Sequence, residues 1–407
     1  MSETTATRKW PAWGAATIAV AAAVAWFLAA AFLWRTSVPA GLKLPKLGPE
    51  NYFSGSLLTR TAHYERFVRI DLVLSMVVTA VALLVLMRKA PRLARNTGLG
   101  PIGAGLIVAG IMLAVLWAVD IPFTLALRWW DGRHGLAEGS WAAWLAQTWS
   151  ALGAAVPFVM LQVAIIMAFA RRWPRNWWLP VTPIFLALAT AFIVVLPYVI
   201  AGGIQRPDPL LQQDVQMLER REGVDVPVDV ENVSNFTTQA NAFAVGLGPT
   251  QRVVVWDTLL DHRFSEGEVR VVLAHEFGHV AHHDLWRGLG WFVLFAVPLT
   301  FAVARITARR GGLGDPGLLP YGFLVLFLLT TALTPLQNAV SRHIEANADW
   351  AALQAARDPA SQQHLFEKFA TTSLEQPNPP TWSYIFFDTH PTLMQRMAMA
   401  QAWKERR

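Results

Sequence analysis

"VVLAHEFGHVAHHD", residues 271–284, holds four of the ten histidines of the chain. His275, Glu276 and His279 form the pattern H-E-x-x-H within it. On a helix, residues four positions apart lie on one face, so both imidazoles can reach the same metal ion. Glu276, beside them, can take a proton from water that the metal activates. The stretch therefore predicts a zinc site on a helix, against the alternative of a polar helix end that is rich in histidine.

The preceding residues predict where this helix begins. Ser265, with Glu268 three residues later, fits a capping box, in which each side chain binds the backbone N–H of the other residue. We expect the neighbours His282, His283 and Asp284 to be solvated at the boundary between helix and membrane rather than to bind metal. An apolar stripe follows the helix and is formed by Val269, Val272, Leu273 and Val280.

A third ligand is needed, because catalytic zinc usually has three protein ligands. A candidate lies in "SRHIEANADWAAL", residues 341–353, which favours a helix. Glu345 and Asp349 are four positions apart and share one face. Glu345 can bind the metal, and Asp349 can accept a ring N–H from a ligating histidine. The alternative is an ordinary charged helix face paired by Arg342.

The composition indicates a membrane protein. Hydrophobic residues make up 54% of the chain and charged residues only 15%, and there are 19 tryptophans. The chain contains no cysteine, which excludes disulfides and thiolate metal sites. The formal charge of +6 lies mostly in short clusters beside apolar runs, which favours a role in membrane orientation over nucleic-acid binding.

Seven apolar runs are each near the roughly 20 residues that cross a bilayer as a helix. Arg8 and Lys9 before the first run, and Ala29–Ala31 near its end, leave a cleaved signal peptide as an alternative for that run. Asp120, an ionisable residue inside the third run, should face a cavity or a partner, or else act locally beside Pro122. The runs are Ile18–Trp34, Ile70–Met87, Ile102–Val119, Ala151–Ala170, Val181–Ile200, Leu285–Ala304 and Leu318–Leu336.

Two polar segments complete the predicted organisation. Residues 1–200 would carry transmembrane helices 1–5, 201–284 the first part of a metalloprotease-like domain, 285–336 helices 6 and 7, and 337–407 the second part. In the first polar segment, residues 208–224 favour a helix. "NAFAVGLGPTQRVVVW", residues 241–256, favours two strands around a Gly248-Pro249 turn. Because two spans separate His279 from Glu345, the chain returns to the same face, and the two polar segments can share one metal.

Five stretches in series resemble the integral-membrane zinc metalloproteases of the type I CAAX prenyl endopeptidase family, with the HtpX proteases as more distant relatives. The resemblance covers most of the chain. It implies a mainly α membrane protein of about seven transmembrane helices around a chamber, with a small α+β zincin-like metalloprotease domain built from the two polar segments. The stretches are "NAFAVG" at 241–246, "VVVWDTLL" at 253–260, "LAHEFGHVAHHD" at 273–284, "SRHIEANAD" at 341–349 and "THPTLMQRM" at 389–397.

The resemblance also implies roles for individual residues. His275, His279 and Glu345 would bind one Zn²⁺ per chain, and Glu276 would be the catalytic base. Asn241, Ala242 and Phe243 would hold the substrate backbone, since a strand edge can take up an extended peptide. His390 would donate to the developing oxyanion, unless it is only a turn residue before Pro391. Arg396 would brace the site by an ion pair.

The function predicted from these features is that of a membrane-embedded zinc-dependent endopeptidase that uses metal-activated water. Its partners would be the lipid bilayer and a peptide or membrane-protein substrate, with no nucleic acid. Nothing in the residues indicates a pocket for a prenyl group. The alternatives are an HtpX-like membrane quality-control protease, a non-catalytic metal-binding sensor or scaffold, and a transporter. The intact H-E-x-x-H glutamate disfavours a scaffold, and a transporter leaves the polar segments unexplained.

The charges and the resemblance disagree on which face carries the metal site. Basic residues in the short loops are more numerous on the side of the N-terminus. This favours a cytoplasmic N-terminus and a metal site on the outer face. The resemblance implies a site on the cytosolic face.

Overall fold

The computed structural model describes residues 12–200 and 204–406. Its helices are α1 (Ala12–Leu33), α2 (Gly55–Asn96), α3 (Pro101–His134), α4 (Trp141–Arg172), α5 (Trp178–Ile200), α6 (Pro209–Glu222), α7 (Glu266–Ala281), α8 (Asp284–Ala308), α9 (Leu319–Ala356), α10 (Pro359–Thr372), α11 (Thr381–Phe387) and α12 (Leu393–Glu405). Its strands are β1 (Ile204–Gln205), β2 (Val228–Glu231), β3 (Ala242–Val245) and β4 (Arg252–Trp256).

The apolar runs predicted from the sequence all fall on helices. Among the described residues, six helices are long and apolar enough to cross a membrane, namely α2, α3, α4, α5, α8 and α9, and a shorter apolar helix covers Thr17–Leu33 of α1. The protein is thus a multi-pass integral membrane protein. α9 runs unbroken to Ala356, so the boundary expected at 336/337 falls inside one helix. Glu345 is therefore carried by the same helix that spans the membrane.

The polar segment before α7 forms a small mixed sheet with the order β1-β2-β4-β3. β4 pairs in parallel with β2 and antiparallel with β3, which leaves β3 at the edge. The predicted turn between β3 and β4 is a short 3-10 helix at Gly248–Thr250. Gly246 precedes it with φ +86°, and a Cβ there would lie 2.2 Å from the carbonyl oxygen of Thr250, so only glycine fits.

α7 lies at the centre of this domain. The predicted capping box is present: Ser265 N–H donates to Glu268 Oε2 over 2.7 Å, and the Ser265 hydroxyl accepts from Glu268 N–H. The predicted apolar stripe is buried, but so are Val271, Ala274 and Phe277 on the other sides of the helix. Because α7 packs against α6, β3, α9 and α10, it is enclosed rather than amphipathic.

Asp120 has a partner inside the helical bundle. Its Oδ1 accepts a hydrogen bond of 2.8 Å from the hydroxyl of Ser75 on α2. This contact between α2 and α3 satisfies a carboxylate that is costly to leave unpaired at this depth. The structure therefore gives Asp120 the partner that its position in an apolar run requires.

Candidate active site

α7 brings its two histidines to one point. His275 and His279 lie one helical turn apart, with perpendicular rings whose centroids are 4.7 Å apart. Their Nε2 atoms approach to 3.1 Å. The expected placement of both imidazoles on one face is thus what the helix produces.

Each histidine is oriented by a carboxylate at its other ring nitrogen. His275 Nδ1 lies 3.0 Å from Asp349 Oδ1 on α9, and His279 Nδ1 lies 2.9 Å from Asp284 Oδ2 at the start of α8. Arg396 binds both oxygens of Asp349, over 2.7 and 2.8 Å. Both carboxylates are buried, with Asp349 only 1% exposed. Neutral imidazoles that donate from Nδ1 to these groups carry their lone pairs on Nε2.

Glu345 completes a set of three converging groups. Its Oε2 lies 3.2 Å from Nε2 of His275 and 3.7 Å from Nε2 of His279. This oxygen is buried and accepts no hydrogen bond of normal geometry from the described residues. Two Nε2 atoms and a carboxylate oxygen at these distances need a positive charge between them, either a proton on an imidazole or a bound metal ion. The ligand atoms of all three residues lie within 4.8 Å of one another, so the donor set fits a zinc-sized ion bound by nitrogen and oxygen.

Glu276 lies beside these groups without joining them. Its side chain is buried, and its Oε2 accepts a hydrogen bond of 2.9 Å from the backbone N–H of Ala244 in β3. Burial raises the pKa of the Glu276 carboxyl, and Glu345 acts in the same direction, against the lowering effect of the two histidines. A carboxylate with a raised pKa is a better proton acceptor.

A cavity of about 380 Å³ opens in front of His275 and Glu276. Its floor contains the apolar side chains of Phe366 and Phe369. Apart from His275, Glu276, His390 and the Asp349–Arg396 pair, four ionisable side chains line its wall, namely Glu65, Glu375, Asp388 and Arg69. No local pattern in the sequence marks these four residues, because they come from α2 and from the segment between α10 and α12.

The structure places the remaining predicted residues unequally. Nε2 of His390 lies 3.2 Å from Oε2 of Glu345, and its side chain is 50% exposed. Asn241 and Ala242 line the cavity. Phe243 is not among the residues that line it; it pairs with Val254 in β4.

One expectation, that Asp284 is solvated, and one alternative, that Arg342 pairs the carboxylates of α9, were wrong. Asp284 is not solvated; it is 7% exposed and holds His279. Arg342 does not pair Glu345 and Asp349, because its Nη1 donates to the backbone carbonyls of Tyr384 and Asp388. This part of α9 is therefore not an ordinary charged face, because the carboxylates of Glu345 and Asp349 both point at the histidines.

Comparison with known proteins finds similar metalloproteases and proteases. The model of peptidase family M48 matches residues 206–404. An uncharacterised metalloprotease of Bacillus subtilis, YhfN, is 25% identical over 306 residues, which cover 70% of this chain and 72% of that protein. Protease HtpX of Acinetobacter baylyi is 30% identical over 218 residues, which cover 47% of this chain and 70% of that protein. The crystal structure of Ste24p from S. mikatae is similar in fold, with a TM-score of 0.76, 17% identity and coverage of 93% of this chain and 96% of that one.

The fold and the matches define a membrane-embedded metalloendopeptidase. They confirm the resemblance to CAAX prenyl endopeptidases and HtpX proteases, and the fold class that it implied, a mainly helical membrane protein with a small α+β domain. The chain belongs to peptidase family M48.

Proposed function

We propose that the protein is a zinc-dependent endopeptidase in which His275, His279 and Glu345 hold one Zn²⁺. The observation that supports this most directly is the convergence of two Nε2 lone pairs and one buried carboxylate oxygen on a single point. Asp349, held by Arg396, and Asp284 fix the orientation of the two imidazoles. Such partners typically strengthen metal binding by raising the basicity of the ligand and fixing its ring.

Glu276 is the base in this proposal. Zinc, when bound, supplies Lewis acidity that polarises the scissile carbonyl and acidifies water. The Ala244 N–H occupies Oε2 of Glu276, which leaves Oε1 to take the proton from the attacking water and to hand it to the leaving amine. Because the carboxyl is held by a backbone group of β3, its position relative to a peptide on that strand is fixed.

The outer edge of β3, which pairs with no further strand of the described residues, is the proposed seat of the substrate backbone. The backbone carbonyl of Asn241 accepts from Trp256 N–H. The backbone N–H and C=O groups of residues 241, 243 and 245 therefore point toward β4, and those of Ala242 and Ala244 point away from it. The outward groups border the cavity and Glu276. An extended peptide that pairs with this edge would present a carbonyl to the metal side of the cavity. Asn241 and Ala242 would contact the peptide, and Phe243 would act only through the strand.

His390 is the proposed donor to the oxyanion. Its Nε2 is within 3.2 Å of Glu345, and half of its side chain is exposed on the cavity side. A ring this exposed can turn toward a substrate oxygen, where a donor is commonly worth 10²–10³-fold in kcat.

The substrate class has two candidates. A CAAX-prenyl-protease-like activity is favoured by the fold shared with Ste24p along nearly the whole chain. An HtpX-like quality-control activity is favoured by sequence identity to proteins named Protease HtpX. Prenylated and unprenylated peptides compared side by side with an unfolded membrane protein would separate the two, since only the first activity requires a defined C-terminal peptide.

The catalytic assignment is tested with the purified full chain. Glu276→Gln keeps the shape of the side chain but cannot accept a proton, so we expect cleavage to be lost while zinc content stays near one per chain. Glu266→Gln, on the exposed first turn of the same helix, is the control and should keep full activity. Preserved turnover by the Glu276 variant would refute the base. A Glu345→Ala variant that holds zinc as tightly as the parent would refute the third ligand.

A non-catalytic sensor or scaffold predicts a different outcome for the same experiment. Such a protein would bind zinc through the same three residues but would cleave no peptide in either form. The buried Glu276, fixed by Ala244, has no evident use in it. Zinc binding without any cleavage across the whole substrate panel would favour this alternative.

A further inference from the structure

His279 is connected to the first membrane helix through two side chains. Asp284, which orients His279 by its Oδ2, accepts a hydrogen bond of 2.7 Å at its Oδ1 from Nη1 of Arg287. Nη2 of the same guanidinium donates to the carbonyl oxygens of Leu33 and Arg35, over 2.7 and 2.6 Å. Leu33 ends α1, where backbone carbonyls have no partner within the helix. One arginine thus joins the support of a proposed metal ligand to the end of α1.

The segment after α1 is fastened to the metal-site helices at further points. Trp34 stacks on His343 of α9 at 4.0 Å, and its carbonyl accepts from Nε2 of that ring. Asn347 lies between Glu345 and Asp349 in the sequence and is fully buried. Its Oδ1 accepts three hydrogen bonds from Thr36 and Ser37. The end of α1 and the residues after it therefore contact both α8, which carries Asp284, and α9, which carries Glu345.

α1 also packs closely against α8 just beyond Arg287. Trp26 Nε1 donates to the carbonyl of Leu294 over 2.9 Å. Gly290 faces Leu33 so closely that a Cβ on this glycine would lie 2.9 Å from Leu33 Cδ1. The position of the α1 end is thus set by a tight contact as well as by hydrogen bonds.

We propose that Arg287 is a positioning residue that ties the orientation of His279 to the end of α1. A guanidinium suits this role, because its rigid fork can hold a carboxylate and carbonyl groups at once. Displacing the end of α1 would let Asp284 turn, and His279 would then lose the fixed ring that metal binding needs. α1 becomes part of the metal centre without touching it. The proposal rests on the assignment of His279 as a ligand.

The test measures zinc affinity of the full chain in detergent, by competition with a chromogenic chelator, and the absorption spectrum of the cobalt-substituted protein. We expect Arg287→Met to raise the Kd for zinc by roughly 10–100-fold and to change the cobalt spectrum. Arg270→Met is the matched control, since Arg270 makes a similar two-point pair with Asp214 over 2.8 and 3.1 Å. The control should leave the Kd within about twofold of the parent value, since an outer partner matters only where it orients a ligand.

Two further variants separate positioning from folding. Arg287→Lys keeps the charge but not the fork, so we expect a Kd between those of the parent and of Arg287→Met. Gly290→Val pushes on Leu33 while Asp284 and Arg287 stay intact, and it should also weaken zinc binding. Gly288→Val is its control, because a Cβ on Gly288 meets nothing within 4 Å. Thermal unfolding of the zinc-free proteins shows whether the fold itself has been lost, and Arg287→Lys carries the test if Arg287→Met does not fold.

Each variant tests a different part of the proposal. If Arg287→Met or Arg287→Lys binds zinc with the same Kd as the parent protein, the role of the arginine is refuted. If Gly290→Val binds zinc with the same Kd as the parent protein, the connection to α1 is refuted. If His279→Ala binds zinc as the parent does, the proposed ligand set fails first, and with it the basis of this inference.

Discussion

Gly278, between the two proposed histidine ligands, allows α7 and α9 to approach closely enough to share a metal. A Cβ at this position would lie 2.9 Å from Ala351 Cβ and 3.4 Å from the carbonyl oxygen of Ala348. Carbon atoms pack best at 3.5–4.0 Å, so Gly278→Ala should force the helices apart by roughly 0.6–1 Å. The two histidines are on one of these helices and Glu345 is on the other.

This separation is large compared with the tolerance of a metal site, where ligand distances hold to within about 0.2 Å. We therefore expect Gly278→Ala to raise the Kd for zinc at least roughly tenfold, because Glu345 moves away from the histidines. Overpacking costs about 1–3 kcal/mol, and alanine regains about 1 kcal/mol of helix propensity, which leaves a net loss of about 0–2 kcal/mol.

Chelator competition and thermal unfolding of the purified protein measure the two effects. Gly288→Ala, on a face of α8 with nothing within 4 Å of the new Cβ, is the control and should be neutral or slightly stabilising. Parent zinc affinity in Gly278→Ala would refute the reasoning, since it would show that α9 can shift without carrying Glu345 away from the histidines.

One further variant and one comparison of peptide substrates give specific expectations. Asp349→Ala should weaken zinc binding roughly 10–100-fold, and unfolding should show a loss of about 3–5 kcal/mol because Arg396 is left buried without its partner. Parent zinc affinity in this variant would contradict the role of Asp349. Glu65, Glu375 and Asp388 outnumber Arg69 on the cavity wall, and burial raises the pKa of the Glu375 and Asp388 carboxyls. Peptides with lysine beside the scissile bond should therefore be cleaved with a higher kcat/KM than the glutamate versions, and the difference should increase with pH as these carboxyls ionise. Equal values would show that this wall does not contact the substrate side chain.

Features that depend on a few neighbouring residues could be predicted from the sequence. The spacing of His275 and His279, the capping box of Ser265 and Glu268, and the turn at Gly248 each involve positions no more than four apart. Helical and turn geometry alone bring such residues together. The apolar runs were equally accessible, because a bilayer imposes length and composition on every helix that crosses it.

Asp284 shows why the rest of the site could not be predicted. His283, the residue before it, adopts a left-handed conformation with φ 55°, which is uncommon for any residue other than glycine. This residue ends the helical path and turns Asp284 back toward His279. A continuous helix would have directed the carboxylate elsewhere. The partners of Arg342 could not be predicted either, because the carbonyls of Tyr384 and Asp388 lie more than forty positions away in the chain.

The structure sharpens the prediction of which face carries the metal site. The ends of α2, α4 and α8 meet at the end of the bundle away from the site: a Cβ on Gly314 would lie 3.1 Å from Arg171, and one on Gly317 would lie 3.0 Å from Pro91. The basic residues gathered there are Arg88, Lys89, Arg92, Arg95, Arg171, Arg172, Arg175, Arg305, Arg309 and Arg310.

Short loops rich in lysine and arginine stay in the cytoplasm, so we predict a metal site on the outer face, against the cytosolic face that the family resemblance implies. The side of the site is also the side of the C-terminal helix α12, because Arg396 of α12 binds Asp349. A phosphatase that is active only outside the cytoplasm, fused after Arg406, should therefore give strong activity, and the same reporter inserted at 97–100, in the loop after α2, should give none. The reverse pattern would place the site in the cytoplasm, and the basic end of the bundle would then have to be held outside by something stronger than its charge.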